Sequence, residues 1–196
     1  MAEQNRDRKR AAMQEQNRDH QRAAMQEQNR DRDKSGGVGP LAYLITFRTY
    51  GTWLHGDERG SVDRDHNVPG TPLLDPDPQR EREERGRSRQ AAVAFDERCR
   101  QTVQRTILDV CEHRGWSVHE LNVRSNHVHI VVSAAEPPEQ VMRSLKSSTT
   151  RRLKESGLIP AGVKPWSRHG STGYLWKPHQ IEAACRYVLD AQGPDL

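Results

Sequence analysis

Two histidines one residue apart, and a tyrosine near the end of the chain, are the residues here best suited to chemistry. In Asn126-His127-Val128-His129-Ile130-Val131-Val132 the imidazoles alternate with apolar residues. That is the period-2 pattern of a strand, so His127 and His129 share one face while Val128, Ile130 and Val132 point to the other. Paired imidazoles a few ångströms apart can hold a divalent cation such as Mg²⁺ or Mn²⁺ when an oxygen ligand and waters complete the shell, and they hold Zn²⁺ or Ni²⁺ more tightly. The same spacing also occurs as a plain surface or hydrogen-bonded pair. Tyr187 lies three residues after Ala184, at the margin of a helical apolar stripe of Ile181, Ala184, Cys185 and Val188. Either its ring packs and its hydroxyl stays in water, or its phenolate attacks a phosphodiester in line, aided by a metal that polarises the phosphate. A phosphotyrosine link keeps the energy of the broken bond, so a strand could be rejoined without ATP.

The elements that must position these groups follow from periodicity and punctuation. Leu41 to Tyr50 is rich in β-branched and aromatic residues and reads as a strand. From Asp96 to Arg114 the spacing of Val103, Ile107, Val110 and Cys111 predicts a helix stopped by Gly115. Trp116 to Val123 and His127 to Ser133 form a hairpin around the polar turn Arg124-Ser125-Asn126. A second helix runs from about Pro138 to Ser156, with Val141, Leu145 and Leu153 on one side and Gly157 after it. Gly173 to Trp176 reads as a short last strand, and Pro178 opens a last helix that Gly193-Pro194 ends. The order β-α-β-β-α-β-α predicts an α+β, ferredoxin-like antiparallel sheet with helices on one face and an extra C-terminal helix carrying the tyrosine. Cys185, on the stripe of that helix, is expected in the core.

Charge points to a polyanion. The net charge is only +4, but between Gln140 and Lys154 the second helix carries Arg143, Lys146, Arg151, Arg152 and Lys154 without a carboxylate. With hydroxyls interleaved, this face suits phosphate contacts along a DNA strand, and a merely solvated face has the same composition. Trp166 to Ser171 reads as a polar, Gly-broken loop in which Arg168 and His169 could hold a DNA backbone. His55, after the first strand, could line the same site or be a solvated loop histidine.

Taken together, a strand, a helix, a hairpin with Asn-His-hydrophobic-His, a basic helix and a late helical tyrosine resemble the single-tyrosine HUH transposases of bacterial insertion sequences and their REP-associated relatives. The resemblance spans about Leu41 to Gly193 and includes Thr46-Phe47-Arg48 on the first strand and Tyr187 to Gln192 near the end. It implies a single-stranded DNA endonuclease and strand transferase in which His127 and His129 hold Mg²⁺ or Mn²⁺ and Tyr187 forms a 5′-phosphotyrosine link. It further implies a hairpin-forming DNA partner, with Arg48 among the DNA contacts, and a homodimer pairing one subunit's histidines with the other's tyrosine helix. Family members often place a glutamine or asparagine four residues after the tyrosine as a further metal ligand, where this chain has Ala191. Gln192, usable only where the helix ends or unwinds, and Asp190, one turn from Tyr187, are the candidate third ligands. From another class, a domesticated relative that binds structured single-stranded DNA or RNA without cutting it fits the same sheet.

Composition limits the rest. The 196 residues allow one domain and a tail. With 33% hydrophobic and 30% charged residues and a mean hydropathy of -1.00, part of the chain cannot bury itself. That part is expected at residues 1–37, where Glu-Gln-Asn-Arg-Asp recurs at Glu3, Glu15 and Glu27 without an apolar stripe. The domain then fills 38–196, with a long, mobile, proline-rich and charged insertion at about 56–90. Cys99, Cys111 and Cys185 are odd in number, widely spaced and never in a Cys-x-x-Cys arrangement, so neither a disulfide framework nor a zinc ribbon is indicated and a reducing cytosol fits. No apolar stretch reaches membrane-spanning length and no signal-peptide centre is present, so a soluble cytoplasmic protein is expected.

Overall fold

A computed structural model describes residues 39–54, 56–57 and 75–190. The N-terminal repeat, His55, residues 58–74 of the insertion and the end of the chain from Ala191, with Gln192, lie outside the described residues. In chain order the elements are β1 (Ala42–Thr49), α1 (Pro78–Arg87), α2 (Glu97–Arg114), β2 (Ser117–Val123), β3 (His127–Ser133), α3 (Pro138–Glu155), β4 (Trp166–Leu175) and α4 (Pro178–Asp190). The strands form one antiparallel sheet in the order β2-β3-β1-β4. This is the ferredoxin-like arrangement, with α1 inserted and α4 added.

Strand alternation sorts side chains onto two faces, and helices cover both. Tyr43, Ile45 and Phe47 of β1 and Val128, Ile130 and Val132 of β3 form one core with Val103, Ile107 and Cys111 of α2 and Val141, Leu145 and Leu153 of α3. These are the helix positions that the 3.6-residue period predicts. On the other face Ala42, Val131 and Leu175 bury Ala184 and Val188 of α4, with Ile181, Cys185 and Tyr187 packed alongside. Cys185 is therefore half-buried at the edge of this smaller cluster, and desolvation raises its thiol pKa.

Helix α2 starts where the Asp96 carboxylate accepts the Cys99 N–H at 2.8 Å and ends at Gly115, whose φ of 68° is the left-handed conformation that favours glycine. Two features depart from the sequence expectation. The charge run in the insertion contains helix α1, which buries no residue. Asp77 caps it by accepting from the N–H groups of Gln79 and Arg80, Pro78 opens it, and Arg85 pairs with Glu81 at 2.6 Å one turn away. The second departure is the last strand, which begins at Trp166 and not at Gly173.

The segment from Trp166 to Ser171 is thus part of the sheet: Gly170 stands opposite Phe47, Ser171 opposite Thr46, and Trp166 opposite Thr49 after a register shift. Trp166 is core, edge-on to Phe47 and Phe95, and its indole N–H donates to Thr149 Oγ1 at 3.1 Å. Gly170 is there for closeness, not for a turn. A Cβ at that position would lie 2.5 Å from both the Thr46 carbonyl oxygen and the Met142 sulfur. Met142 can shift, but the β1 backbone cannot without disturbing the ladder. Gly170→Ala is therefore expected to cost about 1–3 kcal/mol of stability, read as a lower urea midpoint at unchanged slope; an unchanged midpoint would mean that the two strands are less tightly apposed. No helix among the described residues is long and apolar enough to cross a membrane.

Candidate active site

The face of the sheet that carries α4 holds the histidines, as their spacing on β3 predicts. The ladder sets Thr46 of β1 opposite His129 on one side and Asn122 of β2 opposite it on the other, with Arg48 of β1 opposite His127. The two imidazole centroids are 4.7 Å apart and their planes nearly perpendicular. His129 Nδ1 is hydrogen-bonded to Thr46 Oγ1 at 2.6 Å, and His127 Nδ1 to Asn126 Oδ1 at 2.6 Å. With each Nδ1 as donor, the lone pair of both rings sits on Nε2, the arrangement in which outer partners orient metal-ligating histidines. The buried Asn126 is itself held by the turn, where its backbone carbonyl accepts the Thr49 N–H at 2.9 Å.

The tyrosine helix packs on this face of its own chain. The Tyr187 and His129 ring centroids are 5.5 Å apart and edge to face. The residue read from sequence as a possible nucleophile thus touches one of the two residues read as possible metal ligands, and one chain carries both. Two imidazoles with pinned Nδ1 atoms suit a divalent cation as part of its shell. Among the described residues no group of three or more His, Cys, Asp and Glu side chains is placed to hold a metal ion. Asp190 ends α4; its side chain, like Gln192, lies outside the described residues.

Arg48 stacks over the Trp53 indole, its guanidinium carbon 3.6 Å from the ring centroid. Trp53 was not singled out as a partner from the sequence, since the contact depends on how the chain turns after β1.

The basic residues occupy the other face. Arg143, Lys146 and Arg151 of α3 and Arg168 and His169 of β4 line one groove, about 890 Å³ in volume, between that helix and the edge strand. Lys154 and Lys164 join them, as do the carboxylates Glu139 and Glu155. Arg152 is turned away from this group and lines a second cleft, between α2 and α3, with His113 and Arg114. Lys146 ties the groove together: its Nζ donates to the Ser167 and His169 carbonyls at 3.0 Å each and lies 5.6 Å from the Phe47 ring centroid. Burial nevertheless pushes its ammonium down to about 8.

Residues 87–177 match the family model described as "Transposase IS200 like". That stretch contains both histidines and the basic groove, and it ends before α4 and Tyr187. No curated protein matches the chain. Among solved structures, a REP-associated tyrosine transposase bound to a REP hairpin is similar at 10% identity and a TM-score of 0.45, covering 77% of this chain. This chain spans 66% of that structure's length. A transposase candidate from Deinococcus radiodurans is similar at 14% identity and a TM-score of 0.44, covering 81% of this chain and 96% of the other. Both likenesses are remote.

Proposed function

We propose that this chain, which carries IS200-like transposase sequence over residues 87–177, is a single-stranded DNA endonuclease and strand transferase acting through Tyr187. The observation that carries this reading is the contact between Tyr187 and His129, with His127 beside it, on one face of one chain. In the reaction the Tyr187 Oη, having lost its proton, attacks the phosphorus of a DNA phosphodiester in line. The new O–P bond forms as the bond to the 3′-oxygen breaks, and that oxygen takes a proton from solvent in place of the one the tyrosine gave up, which leaves a 3′-hydroxyl and a 5′-phosphotyrosine. Attack by another strand's 3′-hydroxyl reverses the step and releases the tyrosine. A bound Mg²⁺ or Mn²⁺ would supply charge at the scissile phosphate and at the leaving oxygen. His127 and His129 are the residues that would hold it, with Asp190 or Gln192 as the proposed third ligand. Thr46 and Asn126 keep the two rings oriented.

The partner is DNA with a single-stranded segment beside a hairpin. Arg48 is placed to meet the strand at the histidine face, while Arg143, Lys146, Arg151, Arg168 and His169 meet phosphates in the groove on the opposite face. The homodimer and the cytoplasmic location rest on the family resemblance and on composition. Each active site is complete within one chain in this proposal.

The test is incubation of the protein with end-labelled hairpin oligonucleotides and Mn²⁺, followed by a denaturing gel. A protein–DNA adduct that resists detergent and disappears with protease supports the nuclease reading. Tight binding with no adduct on any substrate supports the alternative, a relative that binds structured single-stranded DNA or RNA without cutting.

The groove makes its own prediction. Because burial depresses the Lys146 ammonium to about 8, raising the pH from 7 to 9 removes its charge while the arginines keep theirs. DNA affinity is expected to fall several-fold over that range, with a flatter profile in Lys146→Arg, as filter binding at fixed salt would show. Identical pH profiles for both proteins would remove Lys146 from the DNA contact. For folding the sign is opposite: the unfolded chain holds this proton up to about 10.5, so between about 8 and 10.5 the group favours the folded state as pH rises.

A further inference from the structure

Asn122 stands on β2 directly opposite His129, on the face that carries the tyrosine helix. Its side-chain Nδ2 donates to the backbone carbonyl of Val188 at 2.9 Å. That carbonyl lies in the last described turn of α4, one residue after Tyr187. The amide therefore ties this turn of the helix to the sheet. An apolar side chain at this place could extend the cluster of Val131, Ala184 and Val188. An amide gains less from burial and requires a partner, so what it contributes is direction.

The direction matters because Val188 follows Tyr187. On a helix one residue is a rotation of about 100° and a rise of about 1.5 Å, so fixing the Val188 carbonyl fixes the rotation and height of the turn that presents Tyr187. The same strand position is registered against His129 by the β2–β3 ladder. One side chain thus couples the strand paired with the histidine strand to the helix that carries the tyrosine.

We propose that Asn122 is a positioning residue that sets the Tyr187 ring against His129 by holding the last turn of α4; its effect on DNA cleavage rests on the nuclease reading above. A displacement of the attacking oxygen by about an ångström costs on the order of a hundredfold in rate. Asn122→Ala removes the donor, Asn122→Asp replaces it with an acceptor facing a carbonyl, and Asn122→Gln keeps a donor on a longer arm.

The experiment uses full-length protein labelled with 3-fluorotyrosine, the Tyr187 signal being identified by its absence in Tyr187→Phe. In Asn122→Ala and Asn122→Asp the Tyr187 fluorine signal alone is expected to shift or broaden. Adduct formation on a labelled hairpin strand with Mn²⁺ should slow by roughly ten- to a hundredfold, while DNA affinity and melting temperature stay close to wild type. Asn122→Gln should recover part of the rate. An unmoved Tyr187 signal, or an unchanged adduct rate, would overturn the proposal, as would a joint shift of all tyrosine signals with a lowered melting temperature. Wild type that forms no adduct on any DNA would sink the nuclease reading separately, and the fluorine signal then decides alone whether Asn122 sets the ring.

Discussion

Tyr187→Phe is expected to abolish the covalent protein–DNA product while leaving DNA binding intact. Phenylalanine keeps the ring, its place beside the second core cluster and its edge-to-face contact with His129 at 5.5 Å between centroids. Only the hydroxyl oxygen is lost. If that oxygen is the nucleophile, the step has no substitute, because a water attacking the same phosphorus would give a free 5′-phosphate and no adduct. Adduct formation should drop at least about a thousandfold, in keeping with the removal of a covalent nucleophile. Affinity for the same oligonucleotide should change by less than about twofold, since a single neutral hydroxyl contributes little to a salt-dependent phosphate interface. A variant that still forms the adduct at the wild-type rate would move the nucleophile elsewhere.

His129→Ala is the second large effect. His129 is 5% exposed, lies between Tyr187 and His127, and is oriented by Thr46. Its loss removes one of two imidazoles from the proposed cation site and also the ring against which Tyr187 rests. Cleavage should fall by about a hundredfold or more, and Mn²⁺ affinity, followed by calorimetric titration or by the paramagnetic resonance of free Mn²⁺, should fall with it. Thr46→Val keeps the ring and loses only the Oγ1 contact at 2.6 Å, so it should show a smaller loss, about ten- to a hundredfold in metal affinity or rate. His129→Ala with full Mn²⁺ affinity would show that the pair is a structural feature of the sheet and that the cation, where one acts, is held by other residues.

Much of this was legible in the sequence. The alternation around His127 and His129 placed both on one face, and the stripes of α2, α3 and α4 named the buried residues, because both signals are local periods set by backbone geometry. Two elements were not legible. Helix α1 has no apolar period, being held by the Asp77 cap and by pairs such as Arg85 with Glu81, so a charge run read as unstructured insertion. Strand β4 was shortened because Gly170 looked like a break; its role, close approach to the Thr46 backbone, exists only once β1 lies beside it. The orienting contacts are non-local for the same reason. Thr46 and His129 are 83 residues apart, and Asn122 and Val188 are 66 apart. The basic helix was read as suited to phosphate contacts or as a solvated face, and the sequence could not reveal that α3 lies on the opposite side of the sheet from Tyr187. Helix α4 packs on its own chain's sheet, a long-range contact that no local period in the sequence encodes.

The most direct measurement is to digest the purified protein–DNA adduct and locate the nucleotide by mass spectrometry. The account predicts a single modified peptide carrying a 5′-linked nucleotide on Tyr187, and the unmodified forms of the peptides bearing Tyr43, Tyr50 and Tyr174. A nucleotide on any of those three tyrosines, or on a residue other than tyrosine, would contradict it.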